Sequence, residues 1–135
     1  MTQARLTAPT RPVVLVVDDV AMNRELLEGY LLDLGYEVRM ATDGLEAFES
    51  ILMREPDLIL LDIDMPRKDG YQVCEEIKAD PATRGAHVLI LTAFAQEFQK
   101  EKARASGADE IITKPFSPRK LRERIVEILG AVEKV

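Results

Sequence analysis

The chain has 135 residues, 47% of them hydrophobic, with 24 acidic against 18 basic side chains and a net charge of -6. That length suits one compact domain and is too short for two ordinary ones. The acid excess argues against direct binding of nucleic acid, which needs clustered Lys and Arg. No apolar run approaches the roughly 20 residues of a membrane span, and the N-terminus lacks a signal-peptide core, so a soluble, cytoplasmic protein without a membrane partner is expected.

Met1 to Pro12 is polar, carries two prolines and has no periodicity, which predicts a flexible N-terminal tail over residues 1–12. The domain is expected to occupy 13–132. Val13 to Val17 is a short apolar run of the kind that forms a strand buried on both faces, and Asp18 and Asp19 follow at its end. From Ala21 to Leu34, Met22, Leu26, Leu27, Tyr30, Leu31 and Leu34 recur at three- and four-residue steps, predicting a helix stopped by Gly35. Tyr36 to Ala41 alternates apolar and polar, as a strand near a sheet edge does. Asp43 with Glu46 three residues on reads as a capping box, and Leu45, Phe48, Ile51 and Leu52 give the helix it opens an apolar stripe.

Leu58 to Gly70, LILLDIDMPRKDG, delivers a carboxylate, Asp62, to the end of another fully apolar run, where a loop with Pro66 and Gly70 takes over. Taken alone, such an Asp also suits an ordinary turn after a strand. A short helix from Tyr71 to Ala79 follows, closed by Asp80-Pro81. The only cysteine, Cys74, cannot form an internal disulfide and sits in this helix's apolar pattern with Val73 and Ile77, which predicts core packing. His87 to Thr92 is a fourth apolar run, ending in a hydroxyl. Gln96 to Ser106 is a polar helix stopped by Gly107. Ile111 to Thr113 is a short strand leading to Lys114-Pro115. Ser117 as N-cap and Pro118 in the first turn open the last helix, with Leu121, Ile125, Ile128, Leu129 and Val132 as its stripe.

Five repeats of strand then helix with short connections imply an α/β fold, a doubly wound parallel sheet with helices on both faces. Such sheets bind ligands outside the carboxyl ends of their strands. Asp18 and Asp19, Asp62, Thr92 and Lys114 come from four different strand ends and fall on that one rim. Three carboxylates at close range repel one another, and one ammonium cannot neutralise them, whereas a hard divalent cation can. Mg²⁺ fits best, with Mn²⁺ as an alternative ion, because it is held by one or two carboxylates and takes phosphoryl oxygens in its remaining positions. With a cation there, Asp62 can act as a nucleophile toward a phosphoryl group while Lys114 and Thr92 bind its other oxygens. The chain has no Ser/His/Asp or Cys/His system, no Gly-rich phosphate loop and no CxxC. Its one histidine, His87, starts a strand far from the rim and reads as a scaffold residue.

VVDD at Asp18-Asp19, LLDIDMPRKDG at Asp62, LTA at Thr92-Ala93 and TKPF at Lys114-Pro115 together resemble the receiver domains of bacterial response regulators in two-component signalling, similar to the single-domain chemotaxis regulators. The likeness runs from about Val13 to Val132. It implies a (βα)5 flavodoxin-like sheet of strand order 2-1-3-4-5. It also implies that Asp62 takes a phosphoryl group from a phosphohistidine on a sensor histidine kinase or a histidine phosphotransfer protein. Mg²⁺ would be bound by Asp19, Asp62 and the backbone carbonyl of Asp64, with Asp18 acting through water. Lys114 would pair with the phosphoryl group, and the Lys114-Pro115 bond would be cis. Thr92 would carry the signal to a face built by helix four, strand five and helix five, which would present it to a downstream protein target. Such a protein is a phosphoacceptor, catalysing only its own phosphorylation and dephosphorylation, and is expected as a monomer or a weak phosphorylation-dependent dimer.

One position departs from the family pattern: Ile111 stands three residues before Lys114, where an aromatic ring is usual. Phe94 and Phe98 are the rings nearby in sequence. Asp64 and Phe94, two residues beyond Asp62 and Thr92, would set the phosphoryl lifetime. Two other readings compete. Asp62-Ile63-Asp64-Met65 is similar to the DxD motif of haloacid-dehalogenase-like phosphatases, although Asp18-Asp19 would then have no role and no cap domain fits. A receiver fold used only for binding, without phosphorylation, is the other. With no output domain expected after Val135, the chain reads as a stand-alone relay or as a domain of a longer protein.

Overall fold

The computed structural model describes residues 11–63, 70–93 and 96–130. Five strands, β1 (Val13–Val17), β2 (Glu37–Ala41), β3 (Leu58–Asp62), β4 (His87–Thr92) and β5 (Glu110–Thr113), alternate with five helices, α1 (Ala21–Asp33), α2 (Gly44–Met53), α3 (Gly70–Ala79), α4 (Glu97–Ala105) and α5 (Pro118–Leu129). The strands pair in parallel in the order β2-β1-β3-β4-β5. This is the doubly wound sheet expected from the alternation, in the flavodoxin-like strand order that the family resemblance implies.

Because side chains along a strand point to opposite faces, the apolar runs of β1, β3 and β4 each feed two cores. Leu15, Val17, Ile59, Leu61, Val88 and Ile90 pack with Ala47 and Ile51 of α2, Val73, Cys74 and Ile77 of α3, and Ala103 of α4. Val14, Val16, Leu58, Leu60, Leu89 and Leu91 pack with Leu27 and Leu31 of α1 and Leu121 and Ile125 of α5. Burying each such aliphatic side chain contributes about 1.5–3 kcal/mol. Cys74 is fully buried, as its place in the stripe predicts, and burial pushes its thiol pKa up.

Helix boundaries follow local chemistry. The Asp43 carboxylate accepts from the Glu46 N–H at 2.9 Å, while Glu46 reaches back one residue further than a simple capping box, to the Thr42 N–H at 2.7 Å and the Thr42 hydroxyl. Ser117 caps α5 by accepting from the Lys120 N–H at 3.0 Å, with Pro118 opening the helix. Gly35 ends α1 at φ 90, a left-handed backbone that favours glycine. Pro12 is already tied into the fold, since its carbonyl accepts from the Glu37 N–H at 2.9 Å. Residues 1–10 of the tail lie outside the described residues, as does Val132.

The apolar stripes of α1 and α2 are broader than the faces the sheet covers. Leu27 and Leu31 are buried, but Met22, Leu26 and Tyr30 remain 68%, 54% and 39% exposed. They lie on the next line of the helix, rotated by about 100°. On α2, Ala47 and Ile51 face the core while Leu45 and Leu52 face outward. No helix among the described residues is long and apolar enough to cross a membrane.

Candidate functional site

The parallel register sets β1 beside β3 and β3 beside β4, so the polar residues that end these strands meet at one rim. A carboxylate oxygen from each of Asp18, Asp19 and Asp62 lies within 4.8 Å of the others. Asp18 and Asp62 are buried, at 2% and 3% exposure, while Asp19 is exposed. Lys114, just past β5, places its ammonium 3.0 Å from Asp62 Oδ1. Its backbone N–H donates to the Thr92 carbonyl at 2.7 Å, and the Lys114-Pro115 bond is cis. Thr92 is buried in the last position of β4, one residue beyond the Leu91 that pairs with Asp62. The rim therefore brings together Asp18, Asp19, Asp62 and Lys114, with Thr92 on the neighbouring strand end. Asp64 lies outside the described residues.

Crowding of acids has an electrostatic signature. The Asp18 carboxyl is raised from its ordinary 3.8 to about 6, first by burial and then by the Asp62 carboxylate beside it. Hydrogen bonds from the Val20 N–H, at 2.8 Å, and from Asn23 pull the other way without prevailing. Such a carboxylate favours a partner of positive charge. The donor set, all carboxylate oxygen, suits a hard cation such as Mg²⁺. Alongside lies a cleft of about 250 Å³ walled by Asn23, Leu26, Tyr30, Phe116 and Pro118, with Asp18 and Lys114 at its rim end.

Two residues of α1 join this site without having been singled out by motif. Asn23 hydrogen-bonds Asp18, and Arg24 donates through Nη1 to the Asp18 carbonyl oxygen at 2.6 Å. A basic side chain so near a helix N-terminus opposes the helix dipole, and in sequence that is the one signal that Arg24 has a task elsewhere.

Around the rim, Ile111 is half-buried against the core on the α2–α3 side. Phe98 on α4 is 65% exposed, and Phe94 lies outside the described residues. At the other end of the sheet, His87 has Nε2 3.7 Å from Glu110 Oε2, in keeping with a scaffold position.

A model of the response regulator receiver domain matches residues 14–126. The chain belongs to the response-regulator receiver family. It is 40% identical, over 93% of its length, to a probable transcriptional regulator of Guillardia theta. It is also 40% identical, over 89% of its length, to the alkaline phosphatase synthesis transcriptional regulatory protein PhoP of Bacillus subtilis. This receiver spans about half the length of those relatives, 48% and 49%. Among solved structures it resembles the chemotaxis protein CheY4 of Vibrio cholerae, with TM-score 0.83 and 30% identity, covering 89% of this chain and 100% of that one. A second is the receiver domain of a sensor histidine kinase of Pseudomonas aeruginosa, with TM-score 0.80 and 30% identity, covering 90% and 100%; that structure has a magnesium ion coordinated in its active-site cleft. Membership of this signalling family takes away the grounds for the phosphatase alternative.

Proposed function

We propose that this receiver, spanning residues 13–132, accepts a phosphoryl group on Asp62 and changes its surface in response. The reading is supported above all by the setting of Asp62. Its carboxylate is buried at a strand end, with an ammonium 3.0 Å from one oxygen and two further acids within 4.8 Å. A carboxylate oxygen of Asp62 attacks the phosphorus of a phosphohistidine, the P–N bond breaks, and its electron pair returns to the donor imidazole. Lys114 neutralises charge on the peripheral phosphoryl oxygens, and the Thr92 hydroxyl donates to another. Asp18, Asp19 and Asp62, with the Asp64 carbonyl, would hold Mg²⁺ or Mn²⁺, which when bound supplies charge neutralisation to the phosphoryl oxygens.

The donor is a sensor histidine kinase or histidine phosphotransfer protein of the cytoplasm. The output is recognition by a protein target through the α4, β5 and α5 face, in a monomer or a weak phosphorylation-dependent dimer. The net charge of -6 disfavours nucleic acid as a direct partner of this domain.

Incubation with acetyl phosphate and Mg²⁺ tests the reading. One phosphoryl group per chain, labile in base, should appear on the wild type and vanish with EDTA or with Asp62→Asn. A wild type that stays unmodified under conditions that label another receiver would instead favour a fold used only for binding.

A further inference from the structure

Among the described residues, α4 buries little of its surface against the rest of the domain. Within Glu97–Ala105 the one buried residue is Ala103. A nine-residue helix is marginal by itself, so its position depends on what it touches. One side chain stands out in that role. Tyr71, in the first turn of α3, is 5% exposed. Its hydroxyl lies 2.8 Å from Gln99 Oε1 and 3.4 Å from the Gln99 carbonyl oxygen, and its ring carries the Lys102 ammonium 4.9 Å from the centroid. Gln99 and Lys102 are three residues apart on α4 and so share one face. Tyr71 therefore grips α4 by two neighbouring side chains.

At its other end Tyr71 is tied to the phosphoacceptor. The residue before it is Gly70, and a Cβ there would stand 2.4 Å from the Ile63 Cα, a contact only glycine permits. Ile63 is buried and directly follows Asp62. The backbone leaving Asp62 and the start of α3 thus touch without slack. A displacement at Asp62-Ile63 must move Gly70, and with it Tyr71.

We propose that Tyr71 is the link through which occupancy of Asp62 alters the docking of α4. The inference rests on Asp62 being the phosphoacceptor and assigns the route by which that site is read. It needs no aromatic residue on β5, where Ile111 stands. The link runs on the α3 side of the sheet.

Amide hydrogen exchange across α4 tests it, on the wild type, Tyr71→Phe and Gln99→Ala, each with Mg²⁺ alone and with Mg²⁺ plus beryllofluoride. ¹⁹F NMR reports in parallel whether beryllofluoride is bound. Tyr71→Phe keeps the ring and removes only the hydroxyl, and Gln99→Ala removes the same bond from the α4 side. At rest both variants should exchange α4 amides about fivefold faster, the size set by one lost neutral hydrogen bond, with exchange in β1, β3 and β4 unchanged. Beryllofluoride should alter α4 exchange in the wild type, while both variants bind it and lose most of that response. Bound beryllofluoride with a wild-type α4 response in Tyr71→Phe would overturn the link. A wild type with no bound ¹⁹F signal would overturn the acceptor reading, and the link with it, whatever the resting exchange rates.

Discussion

The two ends of the sheet use the same residue type to opposite effect. At the amino end, acids are matched one by one to donors. Asp57 accepts from the Val13 N–H at 2.8 Å, and its own N–H donates to the Val13 carbonyl. Asp109 accepts from the Val88 N–H at 2.8 Å and pairs with Lys78 at 2.8 Å. Burial alone would raise the Asp109 carboxyl, but these bonds outweigh it and hold the group below its usual range. At the carboxyl end, among the described residues, three acids crowd together with Lys114 beside Asp62, and Asp18 is pushed up to about 6. The amino end is built to be stable as it stands. The carboxyl end, among the described residues, is crowded with negative charge, which suits the cation site proposed for it.

The largest effect should come from the ammonium that contacts Asp62 at the crowded end. Lys114→Ala removes the ammonium 3.0 Å from Asp62, beside which two further acids lie within 4.8 Å. Loss of a preorganised charge at a developing phosphoryl transition state typically costs 10²–10³-fold in rate. Labelling of Asp62 by acetyl phosphate should slow by about that factor. A slowing of less than about tenfold would mean that Lys114 is a structural counter-ion only.

Asp18→Asn should separate stability from binding. Between 3.8 and about 6 the folded chain holds a proton on Asp18 that the unfolded chain does not, so lowering the pH through that window raises stability. Above it, the ionised group costs about 3 kcal/mol, because a buried acid is charged beside another acid. Urea unfolding without divalent cations should thus find the wild type more stable at pH 5 than at pH 7.5. Asp18→Asn should be stabilised at pH 7.5 and have a flatter profile, while its Mg²⁺ affinity falls. In the wild type, Mg²⁺ should bind more weakly as the pH drops through 6, because protons compete for the same carboxylate.

Asp109→Asn gives the opposite sign at the other end. Its lowered pKa contributes stability that is fully present above about 3.8 and is lost as the pH falls through the lower, folded value. The group is partly exposed, so solvent screening limits the loss at pH 7 to about 1 kcal/mol. Mg²⁺ affinity should stay at its wild-type value. A change in both quantities would show that the two ends of the sheet are coupled.

What could be read from the residues alone follows from how each feature is encoded. The central strands β1, β3 and β4 were legible because a parallel sheet covered on both faces demands uninterrupted apolar runs, and the rim was legible because each of these runs stops at a polar residue. Cys74, the Asp43 and Ser117 caps and the His87 scaffold position follow from local pattern in the same way. The helix faces were only half legible: Leu26 and Leu27 are equally apolar, and their periodicity cannot say which line meets the sheet. Neither could the sequence tell that Asp18 is the buried member of the acidic pair and Asp19 the exposed one, since both follow the same strand. Tyr71 reads only as the start of a short helix, and its contacts to Gln99 and Lys102 exist only once α3 and α4 are side by side.

The smallest effect belongs to Arg24, and there the sign decides the role. Its guanidinium holds the Asp18 carbonyl at 2.6 Å and lies close enough to Glu46 to help lower that carboxyl, after the larger effect of the Thr42 hydrogen bonds. If Arg24 acts at the rim by its charge, Arg24→Met removes a cation near the acids, and Mg²⁺ should bind more tightly, increasingly so at low ionic strength. If it acts by fixing the main chain of the acidic loop, the same substitution frees the loop, and Mg²⁺ should bind about fivefold more weakly, the cost of one hydrogen bond, at every salt concentration. The 2.6 Å bond and the half-buried position of Arg24 favour the second outcome. Calorimetric titration of Mg²⁺ into Arg24→Met at two ionic strengths distinguishes them, and tighter binding at low salt would assign Arg24 to the electrostatics of the rim instead of its geometry.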